Sequence, residues 1–455
     1  MIIAHPDYLD KAIGPSTKVV SITTFDPLGK GPVTSTFSNL FGGESAFNVH
    51  KFRELIENPI LHQDDLTIIA GGPGAWQLMD EDVRREFGID TVVLNEAENV
   101  IGPLCRDAVA GIPLPHHVKG TPVKAAEIPG IRGPTICGLV EVSRGCGRGC
   151  NFCNPGLTQL RCRSIQDILE DVKVNVRQGH DSIILHAEDI FRYGATGIYP
   201  NQQSVEDLFK AVLNTEGVRR VSVSHAAFAS ILSAPGMLSD ISEMMHLDKR
   251  NWRGYQVGLE TGSPRLLKDH MAGKCKPFTP EEWPEVVRQA TGISNDANWL
   301  PVSTLIIGLP GEISDDVTKT LELVDDLKKY RIMIYPLLAV PTGRLSEKDR
   351  TVKENLLPEH VELFLRCWEI SLELWPKTFS DISGGLRCSF IERAMLKTLL
   401  NVGVSWSLRK IQTCKSSLQD DRPFKIGKNT FQISNKGKLR SVIRTGSSSM
   451  YDKRD

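Results

Sequence analysis

Between about residues 136 and 340, short apolar runs alternate with helical patterns, and this alternation limits the possible folds more than any other feature of the chain. Candidate strands fall at 139–142, 182–185, 221–224, 256–260, 303–307 and 332–338. Helical periodicity lies between them at 164–178, 204–213, 236–246, 280–290 and 314–328. Such alternation predicts parallel strands covered by helices. Right-handed crossovers would curl six βα units into a (βα)6 partial TIM barrel, where eight would close a complete one. Reactive groups then belong at the carboxyl ends of the strands.

The front of the chain alternates on a smaller scale. Strands are expected at 18–24, 66–70 and 90–94, with helices at 47–56 and 99–110. This predicts an α/β fold that opens with a Rossmann-like parallel sheet. Gly71 and Gly72, in the turn G-G-P-G at 71–74, sit at a strand end where ligands bind in such sheets. A tight turn needs the same residues, so the run alone is ambiguous. Residues 113–134, rich in Pro and Gly, read as a linker or strap. Two helical stretches follow Pro341, at 357–375 and 387–411. Residues 409–455 hold twelve Lys/Arg against four Asp, a net of +8, and read as a flexible basic tail. The expected domains are 1–125, 126–345, 346–408 and 409–455, within the two to four that 455 residues suggest.

The cysteines carry the chemistry. Three of ten, Cys146, Cys150 and Cys153, crowd the run V-S-R-G-C-G-R-G-C-N-F-C-N-P directly after the first barrel strand. Thiolates are soft ligands that suit iron–sulfur clusters or zinc. A four-iron cluster ordinarily takes four thiolates, so three in one loop leave an iron open to a small molecule. Glycines 145, 147 and 149 let the loop wrap closely around a bulky group. Zinc with Cys162 or a histidine as fourth ligand is the alternative. The other cysteines read as small buried hydrophobes. The chain lacks a signal-peptide pattern and an apolar run of about 18 residues, which predicts a cytoplasmic protein without a membrane span. A formal net charge of −1 gives no global pull towards nucleic acid.

The spacing C-x3-C-x2-C, with an aromatic residue before the last cysteine, resembles the signature of radical S-adenosylmethionine (radical SAM) enzymes. The resemblance implies a [4Fe–4S] cluster whose open iron chelates S-adenosylmethionine and cleaves it reductively to a 5′-deoxyadenosyl radical. Further matches follow at successive strand ends, over residues 136–345. Glu188, in H-A-E-D at 186–189, looks like the acidic motif that takes the methionyl amino group. Glu260, in V-G-L-E-T-G-S at 257–263, is similar to a run shared with methylthiotransferases and cobalamin-linked members. Ile306, Gly308 and Gly311, in I-I-G-L-P-G-E at 306–312, resemble the segment beside the adenine. Pro341-Thr342-Gly343 follows the sixth strand. No catalytic residue is identifiable. Structural roles compete at several of these positions: Glu188 or Asp189 as a cap, Glu260 paired with a buried cation, His186 and His225 as hydrogen-bonded core residues.

The turn at 71–74 and the run at 90–98 are similar to the last part of the cobalamin-binding domain that precedes many of these enzymes. That makes cobalamin a candidate cofactor, with Gly71 and Gly72 at its site. Two departures stand out: the D-x-H-x-x-G loop is absent, and the segment begins partway through that fold. The outcomes implied are cobalamin-dependent C-methylation, or radical bond formation or rearrangement without cobalamin. Methylthiotransferases usually carry a second three-cysteine set near the front, where this chain offers only Cys105 and Cys137. A non-catalytic zinc or iron–sulfur module is the reading from another class. Expected partners are a small-molecule or lipid substrate and an external electron donor such as ferredoxin or flavodoxin. A nucleic-acid substrate is disfavoured, since no aromatic–basic stripe is present.

Overall fold

A computed structural model describes residues 2–42, 46–63, 65–345, 356–383, 389–420, 422–426, 429–433 and 439–441. The chain forms two compact units. One is Met1–Ser38 with Gly43–Pro129; the other is Asn39–Gly42 with Gly130–Asp455.

The first unit is built on four parallel strands in sequential order: β1 (Val19–Thr23), β2 (Thr67–Gly71), β3 (Thr91–Leu94) and β4 (His117–Lys119). Phe52 and Ile56 of the helix Phe47–Ile56 pack with Ile68, Ala70, Phe87 and Val92. The Phe52 and Phe87 rings meet edge to face at 5.4 Å, the geometry their quadrupoles favour. β4 draws part of residues 113–134, expected as a linker or strap, into this sheet. It pairs along β3, from Val92↔His117 to Leu94↔Lys119. A three-residue edge strand with polar His117 and Lys119 shows no apolar alternation, so only pairing reveals it. Gly120 then passes so close to the Glu96 carbonyl oxygen that a Cβ would lie 1.7 Å from it.

The second unit opens with β5 (Leu139–Glu141), followed by a two-stranded antiparallel hairpin of β6 (Ser143–Arg144) and β7 (Arg161–Cys162). The other long strands are β8 (Ser182–His186), β9 (Arg220–Val223), β10 (Arg253–Glu260), β11 (Trp299–Ile307) and β12 (Met333–Leu338). They form two parallel three-stranded sheets, β5-β8-β9 and β10-β11-β12, joined by the bridge His225↔Gln256. Strand residues alternate between faces. Ile183, Leu185, Val221, Val223, Tyr255, Val257, Leu305 and Ile307 are buried in the core. The intervening His186, Ser224, Thr304 and Ile306 are only half-buried, and Gln256 is exposed. One face of the strands is therefore packed and the other is open.

Among the helices that escape the sequence pattern are Phe228–Ser233 and Pro264–Met271. At six and eight residues they are too short for a helical period to register. The helices Pro358–Ser383 and Phe390–Gln419 come next, then three antiparallel strands, β13 (Phe424–Ile426), β14 (Asn429–Ile433) and β15 (Leu439–Ser441). Among the described residues, helix and strand therefore stand in place of the expected flexible tail at 409–419, 424–426, 429–433 and 439–441. The charge count hides the alternation that buries Ile426 and Phe431. Residues 442–455 lie outside the described residues. Among the described residues, no helix is long and apolar enough to cross a membrane.

Candidate active site

The loop between β6 and β7 carries all three cysteines of the cluster motif. Gly145, Gly147 and Gly149 hold φ of +74°, +69° and +76°, a left-handed conformation that costs other residues roughly 1–2 kcal/mol each. At Gly145 a Cβ would also lie 2.4 Å from the Gln159 carbonyl oxygen. The Cys146 N–H donates to the Thr158 carbonyl at 3.0 Å, and the Cys153 N–H to that of Cys150 at 3.2 Å. Cys150 is buried; Cys146 and Cys153 are half-buried.

Arg148, inside the loop, fastens it to the rest of the unit. Its guanidinium donates to the carbonyls of Gly273, Lys274 and Lys276 at 3.3, 3.0 and 3.1 Å. It also donates to Asp189 Oδ2 at 3.0 Å and Ser230 Oγ at 2.9 Å. Asp189 accepts in turn from Ser230 Oγ at 2.6 Å and the Ala227 N–H at 3.2 Å. At Gly273 a Cβ would lie 1.9 Å from the Arg148 carbonyl oxygen, so only glycine fits. Arg192 donates to the Cys146 carbonyl at 2.7 Å. Beyond Cys150, the Asn151 N–H reaches the His270 carbonyl at 2.8 Å. Thr342 Oγ1 donates to the Phe152 carbonyl at 2.8 Å, and a Cβ at Gly343 would lie 2.4 Å from the Asn151 carbonyl oxygen. The run at 341–343 thus closes on the cysteine loop.

Burial pushes the Cys146 and Cys150 thiols up. Arg148 opposes this at Cys146, and Lys274 opposes it first at Cys150. Three soft donors on one glycine-rich loop, ringed by Arg148, Arg192 and Lys274, fit a cluster with net negative charge. Among the described residues, no three His, Cys, Asp or Glu side chains gather as they would around one ion. Cys162, the fourth ligand of the zinc alternative, instead accepts the Gly194 N–H at 3.3 Å.

The strand ends supply the rest. Glu188 follows β8 beside Asp189 and is half-buried; burial pushes its carboxyl up, opposed by His186. Asp189 is committed to Arg148, whereas no hydrogen bond to the Glu188 carboxylate occurs among the described residues. His186 Nδ1 lies 3.0 Å from Ser224 Oγ. The His186 and His225 rings meet edge to face at 5.8 Å. Among the described residues His225 Nδ1 is buried without a hydrogen-bond partner, and burial, then His186, lowers this imidazole to about 4.

Glu260 ends β10 with φ +64°. Its carboxylate is buried and pairs with Lys274 Nζ at 3.1 Å, the pairing with a buried cation weighed above. Burial alone would lower the Lys274 ammonium, but Glu260 holds it up. Gly258 makes room for this pair: its Cβ would lie 1.8 Å from Glu260 Oε1. At the end of β11, Ile306 is half-buried on the open face and leads into Gly308 and Gly311, with φ +80° and +76°. Glu312 takes the Gly308 N–H at 2.5 Å and faces His360 at 3.1 Å.

Gly71 and Gly72 belong to the first unit. Thr24 Oγ1 donates to the Gly71 carbonyl at 2.8 Å. Gly72, at φ +90°, would place a Cβ 2.6 Å from Thr23 Oγ1. Close approach of the β1 end accounts for Gly72 structurally, whereas a Cβ at Gly71 would make only ordinary contact, 3.7 Å from the Val93 carbonyl oxygen. Sequence reasoning missed Arg148, Arg192, Gly273 and Lys274. An arginine between the first two cysteines was the visible signal; its partners lie 41 to 128 residues away.

Residues 140–324 match the family model described as the radical SAM superfamily. Among proteins of known function, the chain is 32% identical over 225 residues to the ribosomal protein uS12 methylthiotransferase RimO of Thermotoga maritima, covering 48% of this chain and 46% of that one. It is 24% identical over 201 residues to the tRNA-2-methylthio-N(6)-dimethylallyladenosine synthase of Orientia tsutsugamushi, covering 44% and 42%. The chain thus spans about half the length of the curated relatives it matches. In fold it is similar to the radical S-adenosylmethionine methyltransferase TsrM from Kitasatospora setae, solved with tryptophan and an S-adenosylmethionine analogue. There the TM-score is 0.53 at 15% identity, over 75% of this chain and 66% of that one. The protein carries a radical SAM domain over residues 140–324.

Proposed function

We propose that this protein uses a [4Fe–4S] cluster on Cys146, Cys150 and Cys153 to methylate a substrate carbon with the help of cobalamin. The observation that carries the reading is the cysteine loop itself: three left-handed glycines, three thiols, and a buried arginine that pins the loop to the ends of neighbouring strands. Such a cluster supplies one electron to the sulfonium of S-adenosylmethionine bound at its open iron. The protein's part is to hold and orient that ligand. Glu188, the one acid of the H-A-E-D run left uncommitted, accepts hydrogen bonds from the methionyl amino group. Glu260 and Lys274 form a fixed ion pair at the next rim, with Glu260 toward the ligand. The end of β11, with Ile306, Gly308 and Gly311, lies along the adenine. We read the six strands as a partial barrel with its open face turned to substrate.

We assign cobalamin to the first unit, at the β2 end near Gly71 and Gly72. The solved TsrM structure with cobalamin and a [4Fe–4S] cluster covers 72% of this chain, well beyond residues 140–324. That unit contains a single cysteine, Cys105, and so no second set of three thiols of its own. This favours methylation over the methylthiolation of the curated relatives. Their names specify a ribosomal protein and a tRNA as substrates, so the substrate here is not narrowed to a small molecule or lipid. A low-potential donor such as ferredoxin or flavodoxin would supply the electron, in the cytoplasm.

Anaerobic reconstitution with iron and sulfide tests the reading. Each single Cys→Ala variant at 146, 150 or 153 is expected to lose the cluster's visible absorbance and the release of 5′-deoxyadenosine. Continued 5′-deoxyadenosine release by the triple variant would overturn it.

A further inference from the structure

The helix Phe390–Gln419 turns an apolar stripe to solvent. Ile391, Met395, Leu399, Val402 and Trp406 recur at intervals of four, four, three and four residues, which places them on one side. They are 70, 60, 66, 62 and 62% exposed. The opposite side carries Val404, Ile411 and Cys414, all buried. From residue 390 to 403 no side chain is buried. Over a length of roughly 24 Å, at 1.5 Å per residue, the helix therefore displays an apolar side to water, and Phe390 and Leu396, 85 and 42% exposed, extend the apolar surface around it. A contiguous exposed apolar patch of this extent marks an interaction site, so this side calls for a partner.

Charge decides which partner. The helix has one acid, Glu392, against Arg393, Lys397, Arg409, Lys410 and Lys415. Lys415 is neutralised by Glu369 at 2.7 Å. Arg409 and Lys410 follow the stripe directly, and Lys410 Nζ lies 5.7 Å from the centre of the Trp406 ring. From Arg409 onward the sequence carries its net of +8. A second copy fits poorly, because two such helices would repel. A stripe of five side chains also falls short of the 20–30 residues a side of a standard interface. Apolar residues, a tryptophan and flanking bases on one helix suit the boundary between anionic headgroups and acyl chains.

We propose that the outward face of Phe390–Gln419 docks on the surface of an anionic phospholipid bilayer. Ile391 to Trp406 enter the acyl boundary, and Arg409 and Lys410 lie among the headgroups. The helix rests in the plane of the membrane, since no helix of the described residues can cross one. The proposal does not depend on the radical chemistry.

Sedimentation of the full chain with sucrose-loaded vesicles tests it, using phosphatidylcholine alone and phosphatidylcholine mixed with phosphatidylserine. The protein is expected to pellet with the mixed vesicles and to come off as salt rises. Lys410→Gln should weaken binding about fivefold, the worth of one surface cation. Leu399→Glu should weaken it at least about tenfold, since a buried leucine is lost. Both positions face solvent, and an unchanged far-UV spectrum checks the fold. A blue shift of fluorescence on vesicle addition should be absent in Trp406→Phe. Three results would overturn the proposal: no pelleting with mixed vesicles, binding unaltered by Leu399→Glu, or a dimer in solution that Leu399→Glu splits, which would assign the stripe to a second copy.

Discussion

Arg148 and Asp189 are 5% and 2% exposed and share a bond of 3.0 Å. Taking away one partner of a buried pair leaves an uncompensated charge, at a cost of about 3–5 kcal/mol. Arg148→Met should therefore lower unfolding free energy by that order in a denaturant titration. It should also lower iron content per chain, because the carbonyls of Gly273, Lys274 and Lys276 lose their shared donor. Arg148→Lys keeps the charge but not the planar fork, so it should restore only part of either. His225 yields a second residue-level expectation, in pH. Folded, this imidazole stays neutral down to about 4, because burial and then His186 disfavour its charge. Unfolded, it protonates near its ordinary 6.5. Between those values the unfolded chain binds more protons, so stability is full above about 6.5 and falls as pH drops towards 4. The neighbouring Glu188 works in the opposite sense, since burial raises its carboxyl and stability is lost as pH climbs through its folded value. Measured in a Glu188→Gln background, His225→Phe should flatten the pH dependence of stability over that window. An unchanged slope would mean that His225 does not carry it.

At the scale of the element, the cysteine loop separates two uses of glycine. Gly149 has φ +76° and nothing near its missing Cβ, whereas Gly273 has backbone of Arg148 where its Cβ would be. Gly149→Ala should cost about 1–2 kcal/mol through backbone strain alone and leave cluster content close to normal. Gly273→Ala must push the loop, so it should cost about 1–3 kcal/mol as an overpacked site and reduce cluster content as well. Iron analysis beside thermal melts separates the two. The loop's position was legible from sequence, because thiol spacing and strand–helix alternation are local signals. Its support was not. Asp189 read as a possible cap, yet it holds Arg148 from the next strand end. Glu260 read as facing a cofactor, yet it also neutralises Lys274 fourteen residues later. Long-range pairing leaves no period in a sequence. The same holds for β4, where a valine between two polar residues forms a strand only because β3 offers an edge.

Across the whole molecule, the near-zero net charge conceals an uneven distribution, and the apolar content conceals a helix with its greasy side outward. Composition averages over both, and only the fold shows which residues share a face. The same averaging affects the first unit. Its four parallel strands were visible as three, and its glycine turn carries two meanings at once: packing against the end of β1, and a strand-end site of the kind that takes a nucleotide-like ligand. Cobalamin separates these meanings. If the strand ends of this unit bind it, cobalamin added during anaerobic reconstitution should co-elute with the full chain on gel filtration. It should do so without a protein histidine on the cobalt, since the D-x-H-x-x-G loop is missing. The electron paramagnetic resonance of the cobalt(II) form would show this as the absence of axial nitrogen splitting from a protein imidazole. Turnover should then release S-adenosylhomocysteine as well as 5′-deoxyadenosine, one marking methyl transfer and the other radical formation. Release of 5′-deoxyadenosine by a chain that retains no cobalamin would keep the cysteine loop's role and remove the first unit's. Radical bond formation without methyl transfer would then be the better account.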